Sequence, residues 1–122
     1  MRPALCAVFL AFAAHATGQT PVMDAWNTMG LQEHVGKTIT VRGKVLSTGR
    51  TAHNGIRFLD FTEDRAAGFV GVILPVAYEG TGNLESYKGK SVSITGRLER
   101  YKGRIQIKIL DPSQLVTDSP AP

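Results

Sequence analysis

Apolar and polar residues alternate along several short stretches after residue 36, which is the pattern of half-buried strands. In the clearest stretch, 37–45, Ile39, Val41 and Val45 share one face, and polar side chains occupy the other. A polar loop follows at 47–54, and a glycine-containing connection with at most a short helix is expected at 76–89. The predicted strands are 37–45, 55–61, 68–74, 91–100 and 104–110.

Residues ahead of the first strand predict a short helix. Thr20 is a suitable N-cap and Pro21 a suitable first helical residue. Val22, Trp26 and Met29 then share one helical face, and Gly30 can end the helix. We expect Trp26 to cover the open end of the domain.

Two of the predicted strands resemble each other. Residues 36–45 and 89–98 share spacing of lysine, apolar and glycine positions, at an offset of 53 residues. Gly43 and Gly96 lie within these strands, where glycine allows a strand to bend between sheets. Five short strands, a connection after the third and a bent first strand predict an all-β fold, a five-stranded Greek-key OB-fold barrel. A small open sandwich is the competing architecture.

The first 16 residues have the features of a secretory signal peptide: Arg2, an apolar run at 4–14 and small residues before the predicted cleavage at Ala16. The apolar run is too short to span a bilayer core of roughly 30 Å. We expect export to the periplasm or the extracellular space. Cleavage would remove Cys6, the only cysteine, so no disulfide is expected. The predicted organisation is a signal peptide at 1–16, an N-terminal segment with a short helix at 17–36, an OB-fold domain at 37–112 and a disordered tail at 113–122.

Positive charge is concentrated in the predicted barrel. Between residues 37 and 110 there are 13 Lys and Arg against six Asp and Glu, a net charge of +7. A basic domain of this kind favours an anionic partner such as nucleic acid, an acidic polysaccharide or a membrane surface, although a merely soluble basic surface is the alternative.

Aromatic and cationic side chains are predicted to share one groove. In an OB barrel, the outer face of strands two and three and the loops between strands one and two and between four and five bind ligands. The alternation on strand two directs Leu59 and Phe61 inward and Ile56, Phe58 and Asp60 outward. Stacking aromatics and phosphate-binding cations suit single-stranded DNA or RNA. The candidate nucleic-acid-binding residues are Arg50, Arg57, Phe58, Arg100, Tyr101, Lys102 and Arg104.

The run from Val41 to Glu63 resembles a known family. Its Gly55-x-x-Phe58-Leu59-Asp60-Phe61-x-Glu63 segment is similar to the anticodon-binding OB domains of aspartyl-, asparaginyl- and lysyl-tRNA synthetases, and to stand-alone exported OB-fold proteins of bacteria. The resemblance implies that Phe58 stacks on a base and that Arg50 lies near the family's loop arginine. Thr62 replaces an arginine of the family motif, and Gly71 stands where the family has a base-reading glutamine. We expect no synthetase catalytic domain within these 122 residues.

Catalytic and metal-binding motifs are weaker. Asp60, Glu63 and Asp64 could ligate a hard cation, but acids that follow a strand are usually a solvated turn. His34 and His53, without cysteine, support neither a zinc site nor a Cys/His nucleophile. We therefore expect a monomeric binding protein, not an enzyme, with no cofactor and no metal. A groove that binds a protein or an anionic oligosaccharide, and a structural domain without a ligand, are the alternatives.

Overall fold

The computed structural model describes residues 20–53, 55–63 and 68–118, and these residues have an all-β fold. The predicted signal peptide, Asp64 and residues 119–122 lie outside the described part of the chain. Short helices are α1 (Thr28–Glu33) and α2 (Tyr78–Thr81). The strands are β1 (Val22–Asp24), β2 (Thr38–Lys44), β3 (Ser47–Arg50), β4 (Arg57–Asp60), β5 (Phe69–Ile73), β6 (Ser91–Arg97), β7 (Glu99–Tyr101), β8 (Arg104–Ile109) and β9 (Leu115–Thr117).

The strands form two sheets. One has the order β1-β2-β6-β9, and the other has the order β3-β4-β5-β8-β7. The pairs β1–β2 and β5–β8 are parallel, and the other pairs are antiparallel. The register of β4 and β5 places Phe58 opposite Val72 and Asp60 opposite Val70. In β5 and β8, Val72 lies opposite Lys108.

Two segments pass from one sheet to the other. Val45, between β2 and β3, donates its backbone N–H to Lys90 at 2.9 Å, while the next residue, Leu46, donates to Asp60 in the second sheet at 2.9 Å. Leu98 holds the matching place between β6 and β7 and donates to Lys37 at 2.9 Å. Val45 and Leu98 are both fully buried. The offset of 53 residues therefore relates two equivalent crossings, each two residues beyond the glycine at which a bend is predicted.

Gly43 and Gly96 are required by close packing. A Cβ at Gly43 would lie 2.9 Å from Phe61 and from Ala25, and a Cβ at Gly96 would lie 2.6 Å from Ile107. Both strands can thus approach the core more closely than a side chain would allow.

The hydrophobic core lies between the two sheets. The Phe61 and Phe69 rings pack at a centroid distance of 5.5 Å with a tilt of 49°. Leu59 is also fully buried, as the predicted alternation on the second strand requires. The largest fully buried side chains are Phe69, Leu31, Ile39, Leu59, Ile73, Ile94, Leu98, Ile107, Ile109, Val41, Val45 and Val92.

The N-terminal segment differs from its prediction. Residues 22–24 form β1, which pairs with β2 in parallel, so Pro21 does not begin a helix. The short helix begins later, where the Asn27 side chain accepts a hydrogen bond from the Gly30 N–H at 3.1 Å. Trp26 is 73% exposed and does not cover the end of the domain. The spacing of Val22, Trp26 and Met29 is compatible with a helix and also with a strand followed by a turn. Pairing with β2 favours the strand.

The segments after β2 and β8 are more ordered than predicted. Residues 47–50, predicted as loop, form β3 because they pair with β4. Residues 115–117, predicted to be disordered, form β9 against β6. Gln114 anchors this segment by donating to the Thr95 carbonyl at 2.9 Å and to the Lys108 carbonyl at 3.0 Å, one in each sheet.

The other predicted strands agree with the observed ones to within a few residues. The Gly103 turn has the predicted positive φ, 81°, and Lys102 beside it also has a positive φ of 51°. The predicted fourth strand is divided into β6 and β7 at Leu98. The strand content of the two sheets confirms the all-β class. Among the described residues the two sheets form no closed barrel, and the five-stranded barrel therefore stays a prediction.

Candidate functional site

A groove of about 850 Å³ runs across the outer face of the five-stranded sheet. Its floor contains the apolar side chains of Ile56, Phe58, Val70, Val72 and Leu74. Val70 and Val72 are buried but do not belong to the core between the sheets. The continuous apolar run on β5 is therefore explained by two apolar surroundings, the core on one face and the groove floor on the other.

Phe58 lies in this floor at the position predicted from the alternation. Its neighbours Leu59 and Phe61 belong to the core, whereas Phe58 is half-buried and lines the groove. The cross-strand partner on β3 is Gly49, which has no side chain to cover the ring. A flat apolar surface of this kind can stack with a base or another planar group.

Cationic side chains surround the floor on the β7 and β8 side. Arg97, Arg100 and Lys102 line the groove and are exposed. In the described part of the chain, none of these three forms an ion pair with an acidic side chain. Tyr101 is 56% exposed beside them, with the Lys102 ammonium 5.3 Å from its ring centroid. This rim joins positive charge to a second aromatic surface.

Two further cations of the groove are paired with acids. Arg104 Nη2 lies 3.1 Å from Asp60 Oδ1, and Lys108 Nζ lies 3.7 Å from Glu99 Oε1. Glu99 also accepts a hydrogen bond from Gln106 Nε2 at 3.3 Å. The outward position of Asp60 agrees with the prediction, but the carboxylate is almost completely buried.

Arg50 and Arg57 lie away from the groove, contrary to the expectation that all the candidate residues share it. They are cross-strand partners at the ends of β3 and β4. Arg50 pairs with Glu85 at 3.2 Å, and the Arg57 guanidinium lies 3.8 Å from the Tyr78 ring centroid. These contacts are on the core side of the sheet. Alternation already separates Arg57 from Phe58, because adjacent residues of a strand point to opposite faces.

The groove also contains residues that were not predicted to lie in it. Arg97, Lys108, Glu99 and Gln106 all line it. Alternation of Gln106 and Lys108 with buried isoleucines could have identified two of them. Arg97 belongs to the end of β6, and only the crossing at Leu98 brings it to the second sheet.

The described ranges contain neither a cluster of metal ligands nor a membrane-spanning helix. No cluster of three or more His, Cys, Asp or Glu residues able to hold a metal ion is found among residues 20–53, 55–63 and 68–118. No helix in that part of the chain has the length and apolar composition needed to cross a bilayer.

Comparison with known proteins gives similarity in structure only. No family model matches the chain, and no similar sequence is found among curated proteins. An asparaginyl-tRNA synthetase of Entamoeba histolytica, solved with asparaginyl-adenylate, is 19% identical with a TM-score of 0.50, covering 85% of this chain and 25% of the synthetase. A Leishmania major structure described as an aspartyl-tRNA synthetase is 12% identical with a TM-score of 0.50, covering 86% of this chain and 22% of that one.

These likenesses define the class of fold. The anticodon-binding domain of such synthetases is an OB fold, so the resemblance predicted from the residues around Phe58 is confirmed. The chain spans a quarter or less of the length of each synthetase. At this level of identity the similarity establishes the fold alone.

Proposed function

We propose that this protein binds single-stranded nucleic acid, DNA or RNA, in the groove on its five-stranded sheet. The carrying observation is the combination of Phe58 in an apolar floor with Arg97, Arg100 and Lys102 along one rim. Planar side chains can stack with unpaired bases, and cations along a groove attract the phosphate backbone. The similarity to an OB domain of tRNA synthetases supports this type of ligand.

The fold in this proposal is a five-stranded Greek-key OB barrel. β2 and β3 can be counted as one bent strand, and so can β6 and β7. Together with β4, β5 and β8 they give the five strands of the barrel. The crossings at Val45 and Leu98 are the corners at which such strands change sheets. On this view the groove lies on the face that OB folds use for oligonucleotides.

Little sequence specificity is expected. Apolar and aromatic floor residues contact bases through their faces, which every base presents, and the rim cations contact phosphates. We propose a monomeric binding protein without catalytic activity. Binding, stacking and charge attraction account for the groove residues without assigning a nucleophile or a general base.

Export is the second part of the proposal. The features of residues 1–16 support a signal peptide, and thus a mature protein in the periplasm or outside the cell. Mass spectrometry of the purified mature protein tests this point, because cleavage after Ala16 gives an N-terminus at Thr17. A chain that retains Met1–Ala16 in the membrane fraction would contradict it.

Substitution of Phe58 by alanine is the direct test of the proposed binding mode. We expect the free energy of binding to a fluorescent oligothymidine to become less favourable by about 1 to 3 kcal/mol, the range for loss of one base stack. Trp26→Ala is the matched control, because Trp26 is an exposed aromatic that does not line the groove. Equal affinity of the Phe58 variant and the wild type would exclude stacking on this ring.

A protein or anionic oligosaccharide in the same groove is the second candidate. Four aliphatic floor residues, Ile56, Val70, Val72 and Leu74, make the groove more apolar than phosphate contacts alone need. Competition distinguishes the candidates. An oligonucleotide should displace a nucleic-acid ligand, and heparin should displace an anionic polysaccharide. Neither competitor should displace a protein partner that is held mainly by the apolar floor.

A further inference from the structure

Asp60 and Arg104 form an ion pair beneath the groove that differs from the other ion pairs of the described residues. Asp60 is 1% exposed and does not line the groove, whereas the Arg104 side chain is 20% exposed and does line it. Oδ1 and Nη2 are 3.1 Å apart. The acid is thus shielded from a ligand, and the guanidinium is accessible to one.

Backbone register explains this arrangement. Asp60 ends β4 on the groove face, two residues after Phe58, and lies opposite Val70 and Ser47 on the neighbouring strands. Arg104 begins β8 and is the cross-strand partner of Tyr101. The Arg104 side chain therefore extends from the strand pair that carries Tyr101 to a carboxylate fixed on β4.

A guanidinium suits this bridging position. Its donors form a rigid planar fork, so one nitrogen can donate to a carboxylate while other N–H groups face a phosphate. Arg100 and Lys102 lack a comparable partner among the described residues and must be ordered when a ligand binds. The Lys108–Glu99 pair is looser, at 3.7 Å with both side chains partly exposed.

We infer that Asp60 is a positioning residue, which holds the Arg104 guanidinium in the orientation that meets a phosphate of the bound strand. This inference rests on the proposed function. Asp60 contacts no ligand itself and acts through Arg104. Its contribution is the ordering of one long side chain before binding, which lowers the entropy lost on association.

Electrostatics alone predicts the opposite sign. A carboxylate close to an anion-binding groove repels phosphate, so removal of its charge should strengthen binding. If positioning dominates, removal should weaken binding. The sign of the change in affinity therefore separates the two accounts.

The test compares Asp60→Asn with Asp118→Asn in oligothymidine binding, measured by fluorescence anisotropy at several salt concentrations. Asp118 is the matched control, because it pairs with Arg42 at 3.7 Å on the other sheet and does not line the groove. We expect Asp60→Asn to weaken binding about three- to tenfold, the effect of ordering one long side chain, and Asp118→Asn to leave it unchanged or slightly stronger.

Arg104→Lys supplies a second measurement, which does not depend on the folding of the Asp60 variant. It keeps the charge but removes the planar fork, and we expect a similar loss of affinity. In the Arg104→Lys background, Asp60→Asn should cause little further loss, since Asp60 acts through the guanidinium. Thermal unfolding of each variant confirms that the compared proteins are folded.

Three results would overturn the inference: Asp60→Asn binding as tightly as the wild type or more tightly, undiminished binding by Arg104→Lys, or an equal Asp60→Asn effect in both backgrounds. If these occur in a wild-type protein that binds the oligonucleotide, the proposed function stands and only the role of Asp60 falls. A wild-type protein that binds no oligonucleotide overturns both.

Discussion

Cationic residues lie both at the rim of the groove and on the opposite side of the five-stranded sheet. Two variants can therefore be compared that lose the same number of positive charges at different positions. The rim variant replaces Arg100 and Lys102 by glutamine, and the control variant replaces Arg50 and Arg57 by glutamine. Each double variant removes two positive charges. The rim residues line the groove, while Arg50 and Arg57 contact Glu85 and Tyr78 on the other side of the sheet.

The expected magnitude follows from the number of groove cations. Five of them line the groove, and two are paired with acids, so roughly three to five phosphates can be neutralised. For a single strand this predicts a slope of log K against log salt of about −2 to −3.5. The affinity of the wild type should then fall about 20- to 130-fold between 50 and 200 mM salt.

Loss of two phosphate contacts should reduce the magnitude of this slope by about 1.4 in the rim variant. Its affinity should therefore fall only about 3- to 20-fold over the same range of salt. The control variant should retain the wild-type slope. Its ion pair is partly exposed, so its loss should change stability by at most about 1 kcal/mol.

Anisotropy titrations of labelled oligothymidine at four salt concentrations provide these slopes, and circular dichroism confirms that the variants are folded. Equal reductions in the two variants would show that overall charge, and not the groove, attracts the ligand. An unchanged slope in the rim variant would refute the proposal that Arg100 on β7 and Lys102 in the turn after it contact the phosphates of the bound strand.

Two further predictions concern stability. Gly96→Ala should destabilise the fold by about 1 to 3 kcal/mol in urea unfolding, because its Cβ would lie 2.6 Å from Ile107; Ser91→Ala, at an exposed site of the same strand, should have little effect. A Gly96 variant as stable as the wild type would contradict close packing there. Leu115→Ala should cost about 2 to 3 kcal/mol because Leu115 is 8% exposed, whereas Val116→Ala, at 53% exposure, should be nearly neutral. Equal stability of these two variants would show that β9 contributes nothing to the core.

Local alternation predicted the inward and outward faces of the strands with few errors. Phe58 and Leu59 were assigned to opposite faces, and the structure places one in the groove and the other in the core. This success has a simple cause: the direction of a side chain in a strand depends on the backbone of its own residue and so is encoded locally.

Errors arose where a distant partner decides the structure. Residues 22–24 become a strand because β2 lies beside them, and residues 115–117 do so because β6 does. The residue pattern of a short segment with weak periodicity does not predict a partner strand that is distant in the sequence. Trp26 was misplaced for the same reason, since its exposure depends on where the preceding strand directs the chain.

By itself, then, the sequence determined the all-β class, the positions of the main strands, the OB resemblance and the outward direction of Phe58. It also predicted that Arg100, Lys102 and Arg104 lie in the groove with that ring, and the tertiary structure decided the remaining contacts. The crossing at Leu98 brought Arg97 to the groove, the pairing of β3 with β4 directed Arg50 away from it, and the packing of the sheet placed Asp60 beneath Arg104. The face of a residue on its strand is a local property, whereas a groove is formed by strands that are far apart in the chain and meet only when the sheets are complete.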